Sequence, residues 1–392
     1  MDDPSARKLH ASDTRSYRVA AIEPYGGGSH LSFLDNWRRR SRHHIVLETL
    51  PARHWKWRMR SAPIAMVDAF AASWDQDAPP DLLFVSDMLD LPTWMGFACR
   101  HAALRHWAAT VPVVTYFHEN QWAYPRAPHA REDHHFGYTN LLTASLSDAC
   151  WFNSDFNRET FLEHSERFLR RMPDSQAEHD LKAVRRKCKT IAPGFVPPPR
   201  RADSDAALTL PMVIGWVGRF DHDKRPDRFS ELLGLLQEAG VEFELVLLGQ
   251  RGRDASAVDR LIDRFESHVR WNGFAATRDV YERKLSQMDV VVSTADHEFF
   301  GIAICEAIWA GAIPVTPNRL CYPAYVPETL RFDSIEHAAR LLAKLSKELQ
   351  IPGSVSALSE ECCQQIEPLL IQRTVDRLDH EVAELIERPD PR

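Results

Sequence analysis

Arg219 and Lys224 stand five positions apart in Gly215-Trp216-Val217-Gly218-Arg219-Phe220-Asp221-His222-Asp223-Lys224-Arg225-Pro226, on a loop that follows an apolar run and leads into a helical pattern. A diphosphate leaving group needs its negative charge offset as the bond to it breaks. Arginine, lysine and a helix N-terminus supply that charge without a metal. Arg219 offers a planar fork and Lys224 a point charge. The plainer alternative is a solvated surface loop.

A second pair is acidic. Glu298-Phe299-Phe300-Gly301-Ile302-Ala303-Ile304-Cys305-Glu306 follows the apolar run 290–293, and its two carboxylates are eight positions apart, across a glycine turn and into a helix. Glu306 can accept hydrogen bonds from paired ribose hydroxyls. Glu298 lies on the loop, within reach of a sugar. Two glutamates at this spacing are common by themselves. The Phe300-Gly301 turn and the preceding strand make the pattern specific.

Tyr116-Phe117-His118-Glu119-Asn120-Gln121-Trp122-Ala123-Tyr124-Pro125 closes the apolar run 111–117. The carboxyl end of a strand is where cleft residues occur. His118 can hydrogen-bond a transferred sugar or stabilise charge near phosphates, although a lone histidine is more often structural. Gly26-Gly27-Gly28-Ser29-His30 follows the strand that ends Ile22-Glu23-Pro24. Glycines let backbone N–H groups approach an anion, and Ser29 can cap the helix that follows. The same residues also suit a simple tight turn.

In Leu50-Pro51-Ala52-Arg53-His54-Trp55-Lys56-Trp57-Arg58-Met59-Arg60 cations alternate with indoles. Arg53, Lys56, Arg58 and Arg60 can contact phosphate while Trp55 and Trp57 stack on bases, as in binding of single-stranded or looped RNA. An edge strand with snorkelling cations has the same alternation. Arg38-Arg39-Arg40-Ser41-Arg42-His43-His44 adds charge nearby, or forms a solvated helix end.

These stretches need elements to hold them. Apolar runs at 19–22, 45–47, 82–85, 111–117 and 149–152 read as buried strands, with helical patterns between them such as 154–169. Such alternation builds a parallel sheet with helices on both faces. Pro193-Gly194-Phe195-Val196-Pro197-Pro198-Pro199 and the polar residues after it fit neither a helix nor a central strand. The alternation then restarts, with strands at 213–217, 243–248, 269–271, 290–293 and 313–315. The expected class is therefore α/β, two Rossmann-like domains with a ligand cleft between them. The expected division is a flexible N-terminus over 1–16, an acceptor-side domain over 17–195, a linker over 196–210 and a nucleotide-sugar domain over 211–365. A C-terminal helix over 366–392 carries an apolar stripe, Val375, Leu378, Val382 and Leu385, which must be buried, and the first domain is the expected place for it.

Composition bounds the function. The 392 residues exceed one ordinary core, and a hydrophobic share of 44% with 26% charged residues is globular. A net charge of -7 provides no global field for nucleic acid, so any RNA must be held by a local patch. No apolar run is long enough to span a bilayer, and residues 1–15 have no apolar signal core. Seven scattered cysteines contain no CxxC pair, which argues against structural zinc and a disulfide framework and fits a reducing cytoplasm.

With these residues in view, the chain resembles the GT-B-fold retaining glycosyltransferases, and more narrowly the tRNA-queuosine alpha-mannosyltransferases. The stretches that carry the likeness are EPYGGGSH, LPARHWKWRMRSA, YFHENQWAYP, FNSDFNRETF, FDHDK, STADHEFFGIAICEA and IPVTPNRLCYP, spanning 23 to about 323. The resemblance implies GDP-mannose as donor and queuosine in the anticodon loop of tRNA-Asp as acceptor. It makes Arg219, Lys224 and Glu306 ligands of donor phosphate and ribose, with Gly27, Gly28, Phe300 and Gly301 on the donor side. Glu298 would bind the sugar and His118 would lie beside the transfer point. Ser29, His30, Arg53, Trp55, Lys56, Trp57, Arg58, Arg60, Glu119 and Asn120 would serve the acceptor. The family pattern reads Phe-Tyr-Gly-Gly-Ser-His where this chain has Tyr25-Gly26-Gly27-Gly28-Ser29-His30, an exchange that would widen the acceptor side.

The implied reaction retains the anomeric configuration, with the leaving diphosphate itself taking the acceptor's proton. No DxD motif is placed for a metal, so no metal or other cofactor is expected. Two other readings compete: the same donor site with a lipid, glycan or small-molecule acceptor, and a catalytically silent nucleotide-sugar or RNA-binding protein.

Overall fold

The computed structural model describes residues 15–74, 78–124, 133–173, 178–201, 211–252, 255–351 and 353–388. Two compact units emerge. The first joins Met1–Pro193 to Gln372–Arg392, and the second is Gly194–Ile371.

The first unit is built on a parallel six-stranded sheet of β1 (Arg18–Gly26), β2 (His44–Pro51), β3 (Leu82–Ser86), β4 (Val113–Phe117), β5 (Ala149–Phe152) and β6 (Cys188–Thr190). Its order is β2-β1-β3-β4-β5-β6. β3 and β4 are buried at every residue, which is why they read as unbroken apolar runs. β6 is three half-buried residues with no such run, so apolar patterning passes over it. The order reverses between β1 and β3, and Glu23 and Asp87 stand at the carboxyl ends there. This is the position where doubly wound sheets bind ligands.

The C-terminal helix Ile371–Glu387 completes this unit. Val375, Leu378 and Val382 of its stripe are buried, and Leu385 is half-buried. Asp379, 3% exposed, accepts hydrogen bonds from the Trp37 indole (2.8 Å), the Ser41 hydroxyl (2.6 Å) and the Arg42 amide (2.8 Å). An apolar stripe fixes which face is buried; this carboxylate fixes the axial position.

The second unit contains β7 (Met212–Val217), β8 (Phe243–Leu248), β9 (Val269–Gly273), β10 (Val290–Val292), β11 (Ile313–Pro317) and β12 (Arg331–Phe332), in the order β12-β11-β10-β7-β8-β9. All of its pairings are parallel, and the order reverses between β7 and β10. β12, only two residues long, again leaves no periodic signal.

Residues 196–201, expected in a linker, belong to the second unit. Just before them, Phe195 bridges Leu370, and Arg201 closes the segment by donating twice to Asp289 at 2.9 Å. Prolines prevent this segment from forming a helix but leave its carbonyls and side chains free to dock. Residues 202–210 of that expected linker, and 1–14 of the expected N-terminal tail, lie outside the described residues. Among the described residues, no helix is long and apolar enough to cross a membrane.

Candidate active site

At the β7/β10 reversal, the carboxyl ends of the two strands open a small cavity of about 50 Å³. Gly218, Lys224, Ser293, Glu298, Gly301 and Ala303 are among its lining residues. Lys224 arrives on the 3-10 turn His222–Lys224, and Glu298 on the loop after β10. The helix Ile302–Ala310 starts at this cavity; the Ile304 amide already donates to the Gly301 carbonyl at 3.0 Å, which leaves the Ile302 and Ala303 amides ahead of the first intrahelical bond. Gly301 takes φ +83°, and a Cβ there would lie 2.7 Å from the Tyr325 hydroxyl, so the helix can begin this close only with glycine.

Lys224 Nζ donates to Glu298 Oε2 (3.0 Å) and to the His297 carbonyl (2.9 Å), with Asp223 Oδ2 at 3.3 Å. Burial lowers the basicity of Lys224, but Glu298 and Asp223 outweigh it and hold the ammonium charged. His297 is pulled down to about 4, first by burial and then by the Lys224 charge, so it is neutral at pH 7. Arg219 is exposed, its Nε 3.9 Å from Asp221. Phe300 is buried, and its carbonyl accepts from the Tyr325 hydroxyl at 2.7 Å; it shapes the turn. Glu306 sits in the second turn of the helix, buried, with Oε1 on Arg278 Nη1 (2.6 Å) and Oε2 on the Tyr281 hydroxyl (2.7 Å).

Sequence reasoning did not single out Arg278, Tyr281 or Asp296. Asp296 gathers Arg225 (2.5 Å), Arg228 (2.7 Å) and Arg319 (2.6 Å). Nothing in their spacing signals convergence. A larger cavity, about 300 Å³, is lined by Arg228, Asn318, Arg319 and Ser334, and both of its arginines are ion-paired to Asp296.

In the first unit the fold gathers Glu23, His30, Asp87 and His118 from the ends of β1, β3 and β4 and from the helix Gly28–Arg40. Glu23 Oε1 accepts from the Tyr25 amide (2.7 Å), and Oε2 lies 3.1 Å from His30 Nδ1. The His30 and His118 rings lie with centroids 4.1 Å apart, and Phe33 and Tyr116 hold the His118 ring edge-on. Asp87 Oδ1 accepts from the His118 amide at 2.9 Å. Asp87 Oδ2 and His118 Nε2 are buried with no hydrogen-bond partner. Burial pulls His30 down, but Glu23, then Asp87 and Glu119, push it up to about 9. His118 falls well below its usual value, through burial and then the charge on His30. The result is a cationic imidazole against a neutral one. The ligating atoms of Glu23, His30 and His118 lie within 4.8 Å of one another, so this group can hold a metal ion. Spacing across 95 residues of sequence could not suggest that grouping.

Several expected contacts are placed differently. Gly27, not Ser29, is the N-cap of the helix Gly28–Arg40, without a side-chain cap, and Ser29 is an exposed first-turn residue. Gly28 is exposed at φ +56°. A Cβ at Gly26 would meet Thr49 Oγ1 at 2.8 Å, because β2 runs close beside it. Asn120 is fully buried, its amide donating to the Asn157 carbonyl and side chain and its oxygen accepting from the Ala123 amide, which ties the loop after β4 to the helix that carries Asn157. Glu119 is half-buried beside Gln121. Pro125 lies outside the described residues.

The cation–indole stretch leaves the edge strand β2 at Pro51 and is helical from Trp55, in the helix Trp55–Ser73. Two-residue alternation on a helix sends neighbours to nearly opposite sides. Trp55 therefore packs on Phe136, ring centroids 5.1 Å apart, while Trp57 is 70% exposed. Arg53, Lys56 and Arg60 are exposed, with Lys56 and Arg60 over the Phe136 ring. Arg58 is half-buried, and its Nη2 donates to the Pro51 carbonyl at 3.0 Å.

Comparison with known proteins matches residues 18–195 to the family model described as tRNA-queuosine alpha-mannosyltransferase N-terminal, and residues 205–347 to glycosyl transferases group 1. The tRNA-queuosine alpha-mannosyltransferase of Drosophila melanogaster is 30% identical over 319 residues, covering 79% of this chain and 82% of that protein. A GDP-mannose-dependent alpha-(1-6)-phosphatidylinositol dimannoside mannosyltransferase of Mycobacterium tuberculosis (strain ATCC 25177 / H37Ra) is 24% identical over 296 residues, 74% of this chain and 69% of that one. Among solved structures, sucrose-phosphate synthase from Thermosynechococcus elongatus superposes with a TM-score of 0.66 at 14% identity, over 94% of this chain and 98% of that one. The fold is that of the GT-B glycosyltransferases, with two Rossmann-like units.

Proposed function

Because this chain belongs to the tRNA-queuosine alpha-mannosyltransferase family, we propose that it transfers mannose from GDP-mannose to queuosine in the anticodon loop of tRNA-Asp, in the cytoplasm, retaining the anomeric configuration. The observation that carries the donor half is the pairing of Lys224 with Glu298 beside the Ile302 and Ala303 amides that open the helix Ile302–Ala310. The diphosphate takes Lys224, those amides and Arg219; Glu298 holds the sugar; Glu306 takes the ribose diol. Positioning and charge stabilisation then lower the barrier, and the diphosphate's charge is offset without a metal. His118, neutral and with Nε2 unpaired, hydrogen-bonds the transferred sugar. The acceptor half rests on Trp57 and on the cations Arg53, Lys56 and Arg60, exposed on the helix Trp55–Ser73 and the turn before it.

The test incubates the protein with GDP-mannose and queuosine-containing tRNA-Asp, then digests the RNA and weighs its nucleosides. A hexose on queuosine, absent when the tRNA carries guanosine at that position, supports the reading. No hexose on RNA, with a lipid or small molecule glycosylated instead, overturns it.

A further inference from the structure

Glu306 is a buried carboxylate held from two sides. Burial pushes its pKa up, toward the protonated form that would donate as well as accept; the charge and hydrogen bond of Arg278 and the hydrogen bond of Tyr281 oppose this. An ionised carboxylate has about four acceptor positions, two on each oxygen. Arg278 Nη1 takes one on Oε1 at 2.6 Å and the Tyr281 hydroxyl takes one on Oε2 at 2.7 Å. One is left on each oxygen. Two adjacent acceptors on one rigid carboxylate match the two donors of a vicinal diol.

Arg278 is itself fixed. Its Nε donates to Glu282 Oε1 at 2.6 Å, one helical turn along, and its Nη2 donates to the Val196 carbonyl at 3.0 Å. Both Arg278 and Tyr281 lie on the helix Arg278–Leu285 that follows β9, three residues apart and so on one face. With all three of these groups committed, the guanidinium cannot swing away to compete for an anionic ligand. A surface ion pair would not need a half-buried tyrosine and a backbone carbonyl to complete it.

We propose that Arg278 and Tyr281 are positioning residues for the donor nucleotide: they orient Glu306 so that its remaining acceptors read the 2′- and 3′-hydroxyls of the ribose. This rests on the reading of Glu306 as the ribose ligand. The clamp makes the site selective for ribonucleoside over 2′-deoxyribonucleoside diphosphates, because a deoxy ligand leaves one oriented acceptor without its donor.

The test compares binding of GDP and 2′-deoxy-GDP to the full-length protein by calorimetry, for the wild type, Glu306→Gln, Arg278→Ala, Arg278→Lys and Tyr281→Phe, each checked for native circular dichroism and melting. The wild type is expected to prefer GDP by roughly tenfold or more, the loss typical of a charge-assisted hydrogen bond. Arg278→Ala and Tyr281→Phe should weaken GDP while leaving 2′-deoxy-GDP nearly unchanged, shrinking the preference. Arg278→Lys should restore part of it. Folded variants that weaken both ligands equally, with the preference kept, overturn the clamp. A wild type without preference, unaffected by Glu306→Gln, overturns the ribose role of Glu306 and the clamp with it.

Discussion

Lys224 Nζ lies 3.0 Å from Glu298 Oε2, although 74 residues separate them. The cation proposed for the leaving diphosphate and the carboxylate proposed for the sugar therefore touch each other. Lys224→Ala should lower kcat/KM by about tenfold to a hundredfold, as expected for a lost charge-assisted contact. Glu298→Ala should act mainly on kcat, since its proposed contact is to the sugar that changes charge. The double variant should lose less than the product of the single losses, because the residues touch. Steady-state kinetics on tRNA decide this; strictly multiplicative losses would contradict the coupling.

The Glu23–His30 pair links stability to pH. The folded pKa of His30, about 9, is raised above the ordinary 6.5 by Glu23 against the opposing effect of burial. The stabilisation is therefore complete below pH 6.5 and lost as pH rises through about 9, on the order of 3 kcal/mol in all. Between pH 7 and 10 the melting temperature of the wild type should fall more than that of Glu23→Gln or His30→Asn. Parallel curves for all three proteins would show that the pair does not carry the linkage.

The strands buried on both faces were legible because parallel sheets demand continuous apolar residues, as in β3 and β4. The placement of Lys224 and Glu298 was legible because each lies on a loop or turn after a strand, and that of Glu306 because the Gly301 turn opens a helix. The clustering of Glu23, Asp87 and His118 was not, since it arises from strand order, and β3 enters between β1 and β4 only in the folded sheet. Asn120 shows how a structural role stays hidden in sequence. A polar residue at a strand end is equally suited to tying a loop down, and its bonds to Asn157 do that.

Asp379 should matter more to folding than the ion pairs around it. Asp379→Ala would leave the Trp37 indole N–H and the Arg42 amide without their acceptor, at a cost of roughly 2–4 kcal/mol. Lys189→Ala removes partly exposed pairs with Glu381 and Glu384 and should cost less than about 1 kcal/mol. Urea denaturation of the two variants gives the comparison; equal losses would refute it.

Transfer should continue in excess EDTA, since Lys224, Arg219 and helix amides are assigned the diphosphate charge. The assay is hexose incorporation into tRNA with and without chelator. Loss of activity that returns with added metal would contradict that assignment and direct attention to Glu23, His30 and His118.

Trp55 and Trp57 should separate cleanly, because the helix turns them to different sides. Trp55→Ala removes the ring that packs on Phe136 and should lower stability by a few kcal/mol, in the range of large-to-small changes in packed sites. Trp57 is 70% exposed, and Trp57→Ala should leave melting unchanged. If a tRNA base stacks on it, the same change should weaken tRNA binding by roughly 1–3 kcal/mol. Neutralising Arg53, Lys56 and Arg60 should also weaken tRNA binding and make its salt dependence shallower than that of the wild type, because fewer phosphate contacts release fewer counterions. Neither set should alter hydrolysis of GDP-mannose in water. With a net charge of -7, the protein has no general attraction for RNA to mask these losses. Filter binding of tRNA across a salt series, beside donor hydrolysis, measures both. An unchanged salt slope in the triple variant, or normal tRNA affinity in Trp57→Ala, would move the acceptor surface elsewhere on the chain.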